Sequence, residues 1–337
     1  MARRNLLRTI SLAAVLALAT ACGSATTAPD AAPVPPPVSP AELSKVVLKV
    51  GDQKGGAKSL LTAAGLLGDV PYRIEWSTFT SGPPMLEAVS AGAVDVGSVG
   101  NTPPLFAAAA NAQVKFVAAS KADTISDAIL VPPDSPLRSV ADLRGKTIGV
   151  GKGTSAHGQV LYTLARAGLS LKDVRLSFMQ PSEAYSAFTQ KQIDAWAVWD
   201  PYTAQAELEA NARTLATGQG TANGYGFQVA STQSLGDAGK NAAIADFVTR
   251  LARAQVFNDQ HPEERAKAWT AETGLPLPVT QRAADRKNQL PVSLNKELVD
   301  SEQRLADALA DAKVLPGRLR FEDFVDRRFD AQVTAVR

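Results

Sequence analysis

From Lys45 onward the chain alternates short apolar runs with segments of helical periodicity, and that alternation restricts it to an α/β architecture with mainly parallel sheets. The apolar runs read as strands: "KVVLKVG" (45–51), "YRIEWSTF" (72–79), "AVDVGSV" (93–99), "VKFVAAS" (114–120), "DAILVPP" (127–133), "KTIGVG" (146–151), "VRLSFM" (174–179), "DAWAVWD" (194–200) and "YGFQVAS" (225–231). Beyond Ser234 the pattern turns almost wholly helical, at roughly 240–260, 262–272, 278–288 and 298–312. In "VPPDSPLRSVADLRGK" (131–146) prolines and a short capped helix separate one strand from the next. A second strand–helix series then runs to about Ala222. The economical layout inserts a second domain (137–222) into a first made of 45–134 and 226–337, so that two crossovers form a hinge above a cleft.

The segment Gly149-Val-Gly-Lys-Gly-Thr-Ser-Ala-His-Gly-Gln-Val160 combines a strand end, a glycine-rich turn and a helix start. An NTP-binding loop requires G-x-x-x-x-G-K-[ST], but Lys152 precedes its glycine. Gly145-Lys146-Thr147 has Val140 where the first glycine belongs and lies before a strand. A serine-hydrolase elbow fails as well, because His157 stands where a small residue must pack and cannot face Ser155 from two positions away. What fits is an anion seat, with Thr154 or Ser155 capping a helix that Gly168 stops. A capped helix without a ligand fits equally well at this one turn.

The pattern recurs. "FTSGPPM" (79–85) and "VGNTPPL" (99–105) are also strand ends leading into helices opened by paired prolines. Prolines cannot donate, so contacts there would come from Gly82, Asn101 and Thr102. Three such strand ends facing one cleft favour a small anion shared between two domains.

The N-terminus has the form of a lipoprotein leader. "ARRNLLR" is a basic n-region, Ile10 to Thr20 are an apolar stretch too short for a comfortable bilayer span, and "LATACGS" carries the chain's single cysteine, Cys22. Lipidated Cys22 would anchor a flexible Pro/Ala-rich tether (22–44) to the membrane after removal of residues 1–21. Arg3-Arg4 leaves Sec and twin-arginine export both open. Of 35 basic and 33 acidic residues, three arginines lie in the leader, so the remaining chain is nearly neutral and offers no nucleic-acid surface. One cysteine and two histidines make a poor metal site, and neither a metal nor a cofactor is expected.

"VGDQKGGAKSLL", "SGPPMLEAVSAGAVDVGSVGNTPPLFAAAA", "ILVPPDSPLRSVADLRGKTIGVGKGTSAH" and "FTQKQIDAWAVWDPY" resemble aliphatic-sulfonate-binding proteins of ABC transporters, in consistent order over about residues 46–232. The resemblance implies a two-lobed type II periplasmic-binding-protein fold, a monomer that closes around a sulfonate, and delivery to an ABC permease. It places Gln53, Lys54, Gly82, Asn101, Thr102, Thr154, Ser155, His157, Trp199 and Asp200 around the ligand. Two positions depart from the family: Asp52 stands where an aromatic often precedes Gln-Lys-Gly, and Asn101-Thr102 where Asp-Ile often precedes Pro-Pro. Both bear on which substrate is taken: alkanesulfonate, taurine, aromatic sulfonate, sulfate ester or a nitrate-like anion.

Local chemistry gives several of these residues a second role. Asp200 is a natural N-cap and Pro201 a natural first residue for the helix "YTAQAELEA". Lys54 either neutralises the anion or is solvated, and His157 either donates one hydrogen bond or faces water. Strand parity sends Trp196 and Trp199 to opposite faces, with Trp199 the better cleft wall. Phe79 and Tyr225 are further wall candidates. The expected role is binding without catalysis. An enzyme of the related pyrimidine-synthase type would need a cysteine-rich motif that this chain lacks.

Overall fold

The computed structural model describes residues 33–286 and 289–336. The proposed leader and Cys22 lie outside the described residues. The end of the segment read as tether is not extended throughout: Pro40–Leu43 is a helical turn closed by a reciprocal Ser39–Glu42 capping box.

Eleven strands among the described residues form two sheets. They are β1 (Val47–Gln53), β2 (Arg73–Phe79), β3 (Val96–Gly100), β4 (Val114–Lys121), β5 (Ala128–Val131), β6 (Thr147–Val150), β7 (Arg175–Phe178), β8 (Ala195–Val198), β9 (Arg213–Thr217), β10 (Tyr225–Ser231) and β11 (Leu290–Val292). The first sheet has the order β11-β4-β10-β3-β1-β2 and the second β7-β6-β8-β5-β9. Both are mixed. β1 runs parallel to β2 and β3, and β6 parallel to β7 and β8. The strands next to the crossovers, β10 and β5, pair antiparallel with their neighbours. β5 belongs to the second sheet, although its sequence had been grouped with the first segment.

Burial explains which runs are central. β5, β8 and β10 are buried at every residue and read as continuous apolar or small-residue runs. The edge strands β2 and β7 keep exposed positions. The helix Ala238–Gln260 covers the first sheet with Ile244, Phe247, Val248 and Leu251, which share a core with Leu48, Val50 and Val117. The helices Pro262–Thr273 and Leu277–Arg286 then reach the other side, where Trp269, Val279 and Ala283 pack with Ala204 of the helix Tyr202–Glu209.

The chain crosses between sheets at 122–127 and returns at 218–224. The two crossovers are stitched together: Ala122 N–H donates to Gly224 O at 2.9 Å, and Gly218 N–H to Asp127 O at 2.7 Å. Gly224 has φ +75°, and a Cβ there would lie 2.3 Å from the Ala122 carbonyl oxygen. Only glycine permits so close an approach.

Candidate functional site

A cavity of about 150 Å³ lies at the strand ends between the sheets. The first sheet contributes Gln53, Lys54, Gly82 and Asn101 to its wall, and the second contributes Thr154, Ser155, Trp199 and Asp200. Tyr225 of β10 also lines it, with the Lys121 ammonium 5.0 Å from its ring centroid.

Three helices begin here: Gly82–Ser90, Thr102–Ala109 and Ser155–Arg166. Their N-cap residues, Ser81, Asn101 and Thr154, make no side-chain capping bond among the described residues. Asp237 and Asn295, by contrast, cap their helices in the ordinary way. The first N–H groups of a helix have no intrahelical acceptor. At Gly82–Ser90 and Thr102–Ala109 the next two residues are prolines, so only the Gly82 and Thr102 amides remain as early donors there. Ser155–Arg166 has no such prolines, and all three starts bring the positive end of a helix dipole. The side-chain cap expected of Thr154 is not made: its hydroxyl donates instead to the Gly151 carbonyl at 2.7 Å, which shapes the turn. Asn101 is likewise engaged: its Nδ2 donates to Asn223 Oδ1 at 2.8 Å, and its Oδ1 accepts from Thr102 Oγ1 at 3.0 Å.

A fourth helix start, at Ala57–Ala63, already holds an anion of the protein's own. Asp52 Oδ1 accepts from the Gln53 and Ala57 amides and Oδ2 from Lys58, at 2.8–2.9 Å. Burial nevertheless pushes the Asp52 carboxyl up to about 6, against the opposing pull of those three amides. The departure from an aromatic at this position therefore places a fixed carboxylate in the cavity wall.

The lobes also meet at the rim, where Gln180 Oε1 accepts from Thr80 Oγ1 at 2.9 Å and Ser81 Oγ at 3.1 Å.

Three expectations need correction. His157 does not line the cavity and donates nothing to it. Its ring is 2% exposed, packed near Phe106 and Phe178, and its Nδ1 accepts from the Gly153 N–H at 3.3 Å. Burial, helped by the Lys152 charge, holds it at about 4, so it is neutral at physiological pH. The Thr102 side chain is fully buried outside the cavity wall, and its hydroxyl stands where a Cβ on Gly158 would lie, 2.4 Å away. The N-cap of Tyr202–Glu209 is Pro201, after a cis Asp200–Pro201 bond. Asp200 sits one residue earlier, reaches the Ala204 amide at 2.9 Å, and lies 3.9 Å from Arg286.

Of the wall candidates, Phe79 packs into the core and does not line the cavity. The sequence reading missed Arg265, Trp269 and Gln255, all buried and all in the cavity wall. Arg265 Nη2 donates to Gly55 O at 2.9 Å, and its guanidinium lies 4.7 Å from the Trp269 ring centroid. "PEERAKAWTAET" reads as a surface helix, and an arginine on such a helix gives no local sign that it is buried.

Two mixed α/β sheets, joined by paired crossovers and enclosing a cavity at their strand ends, define a type II periplasmic-binding-protein fold. The chain belongs to the NMT1/THI5-like family, whose sequence profile matches residues 81–265, more than half its length. It is similar to the alkanesulfonate-binding protein SsuA from Xanthomonas axonopodis pv. citri bound to MOPS, at 33% identity and TM-score 0.77, covering 83% of this chain and 98% of that one. It also resembles the periplasmic aliphatic sulphonate binding protein SsuA from Escherichia coli, at 31% identity and TM-score 0.72, covering 82% and 91%. The desulfurization enzyme DSZB shares the fold alone, at 17% identity and TM-score 0.63, covering 86% and 99%. Among the described residues no helix is long and apolar enough to cross a membrane.

Proposed function

We propose that this protein is the extracytoplasmic solute-binding component of an ABC importer, capturing a small sulfonate between two lobes and handing it to the permease. The lobes are 45–134 with 226–337, and 137–222, with the exchange of β5 noted above. The observation that carries the reading is the convergence of three uncapped helix starts, contributed by both sheets, on one cavity. A hydrogen bond to a charged group contributes about 1.5–3 kcal/mol, and desolvating an anion costs several. Amides at Gly82 and Ser155, with the Lys54 ammonium in the same wall, are on the scale required. Gln53, Lys54 and Trp199 complete the wall, while Thr154 and Asn101 shape it. Asp200 joins them as a wall residue whose carboxylate also accepts from the Ala204 amide.

Binding without turnover is favoured by the separation of Ser155 from a usable base. Ser155 lines the cavity, while the neighbouring His157 is buried outside it. Similarity to the sulfonate-binding relatives favours an alkanesulfonate or a related sulfonate. We place the protein on the outer face of the cytoplasmic membrane as a monomer, held by lipid on Cys22 after cleavage of residues 1–21. Metabolic labelling with a fatty acid tests the anchor, and label persisting in a Cys22→Ser variant would refute it.

Calorimetry on protein starting after Cys22 tests the main reading, using ethanesulfonate, taurine, benzenesulfonate, a sulfate ester and nitrate. At least one sulfonate should bind with a single site and raise the melting temperature with concentration. Binding of nitrate alone, or of none of the five, would overturn it.

A further inference from the structure

The cavity contains a second group of donors, distinct from the three helix starts. Arg265 is 4% exposed and Trp269 1% exposed, and both line the cavity wall. Arg265 uses Nη2 on the Gly55 carbonyl, but Nη1 has no hydrogen-bond partner among the described residues, and neither has Trp269 Nε1. The indole nitrogen has room because Gly55 carries no side chain: a Cβ there would lie 1.5 Å from Nε1. Two buried N–H groups without acceptors on neighbouring turns of one helix are costly, and a binding site is where such a cost is recovered when the ligand arrives.

The chemistry of the missing acceptor follows from the charges around it. Burial draws the Arg265 guanidinium down to about 10, against the pull of the Glu272 and Asp52 carboxyl groups, so the subsite already sets one cation beside two carboxyls. A second anionic group on the ligand would be repelled by the two carboxyls, and an ammonium group has no lone pair to offer the two N–H donors and would leave both unpaired. A neutral oxygen satisfies both constraints.

Resting on the sulfonate reading above, we propose that Arg265 and Trp269 form a subsite for a neutral oxygen on the ligand, so that the preferred substrates are sulfonates bearing a hydroxyl, ether or carbonyl. The residues act on specificity. A pocket built to bond an oxygen discriminates strongly against the analogue that lacks it, since the donors are then left unpaired.

The experiment compares ligands of equal length on the whole globular chain. By calorimetry, 2-hydroxyethanesulfonate and 3-hydroxypropanesulfonate are each measured against the unsubstituted alkanesulfonate, with taurine and sulfoacetate as the cationic and anionic arms. The wild type should prefer at least one hydroxy compound by about tenfold or more. Trp269→Phe, which keeps the ring and removes only the N–H, and Arg265→Lys should each pull that ratio toward one. Should Arg265→Lys fail to fold, Trp269→Phe decides alone. Equal binding with and without the hydroxyl, or tightest binding of taurine or sulfoacetate, would overturn the subsite while leaving the sulfonate reading intact. No binding of any sulfonate would refute both.

Discussion

Gly100 and Ser155 face each other across the two sheets so closely that a Cβ on Gly100 would lie 2.0 Å from the Ser155 hydroxyl oxygen and 3.3 Å from its Cβ. The contact joins the end of β3 to the start of the helix Ser155–Arg166, two of the cavity's anion-facing elements. Gly100→Ala should therefore hold the lobes slightly apart and weaken sulfonate binding by about 1–2 kcal/mol. Ser155→Ala removes the clashing oxygen, so the double variant should bind better than additivity of the single changes predicts. A double-mutant cycle by calorimetry measures this, and strict additivity would mean that the two residues do not limit closure.

At the rim, Gln180 accepts from Thr80 and Ser81 of the opposite lobe. These bonds exist only when the lobes are together, so they stabilise the closed form selectively. Gln180→Ala should raise Kd by about three- to tenfold, mostly through faster dissociation. Stopped-flow kinetics checks the partition. An unchanged dissociation rate would show that the rim contact is incidental.

Glu302, fully buried on the helix Lys296–Asp311, has its Oε1 bound to Asn223 Nδ2 at 2.7 Å, and burial pushes its carboxyl up to about 8. Between an unfolded value near 4.5 and about 8 the folded protein binds more protons, so stability should fall as pH rises through that window. Asp52 and Glu272, raised to about 6 and about 7, act in the same direction. Glu302→Gln should lose little at pH 5 and gain relative to wild type by several kcal/mol toward pH 9. Chemical denaturation across pH reads this directly, and a constant difference between the two proteins would contradict it.

His157 works in the opposite sense. Its folded value near 4 lies below the ordinary 6.5, so the unfolded chain binds the extra proton and stability is lost as pH falls from about 6.5 to about 4. His157→Phe keeps a ring between Phe106 and Phe178 and should flatten this acid limb, at a pH-independent cost of about 1–3 kcal/mol for the orphaned Gly153 N–H. Urea midpoints measured at pH 4.5 and pH 7 give the comparison.

Nine of the eleven strands among the described residues were legible as apolar runs. β11 is three residues long and contains Pro291, which is tolerated at a sheet edge but resembles a loop in sequence, and β9 is an edge strand with no fully buried residue. The start of the helix Ala57–Ala63 is held by a carboxylate from Asp52, five residues before it and still within β1, a partner that no residue at the usual capping position announces. The helix starts that face the cavity were readable because glycine and paired prolines announce themselves locally. The directions taken by Thr102 and His157 were not, since they depend on how the helix Thr102–Ala109 packs against Ser155–Arg166.

By itself the sequence determined the alternation of strands and helices, the turns at 79–85, 99–105 and 149–155, and the positions at which helices begin after them. These follow from backbone preference and periodicity, which act over a few residues. Only the tertiary structure decided that β5 joins the second sheet, that β10 returns antiparallel, and that Arg265 meets the carbonyl of Gly55 across 210 positions of chain. Contacts at such separations arise from the packing of whole elements, and no local pattern in the sequence encodes them.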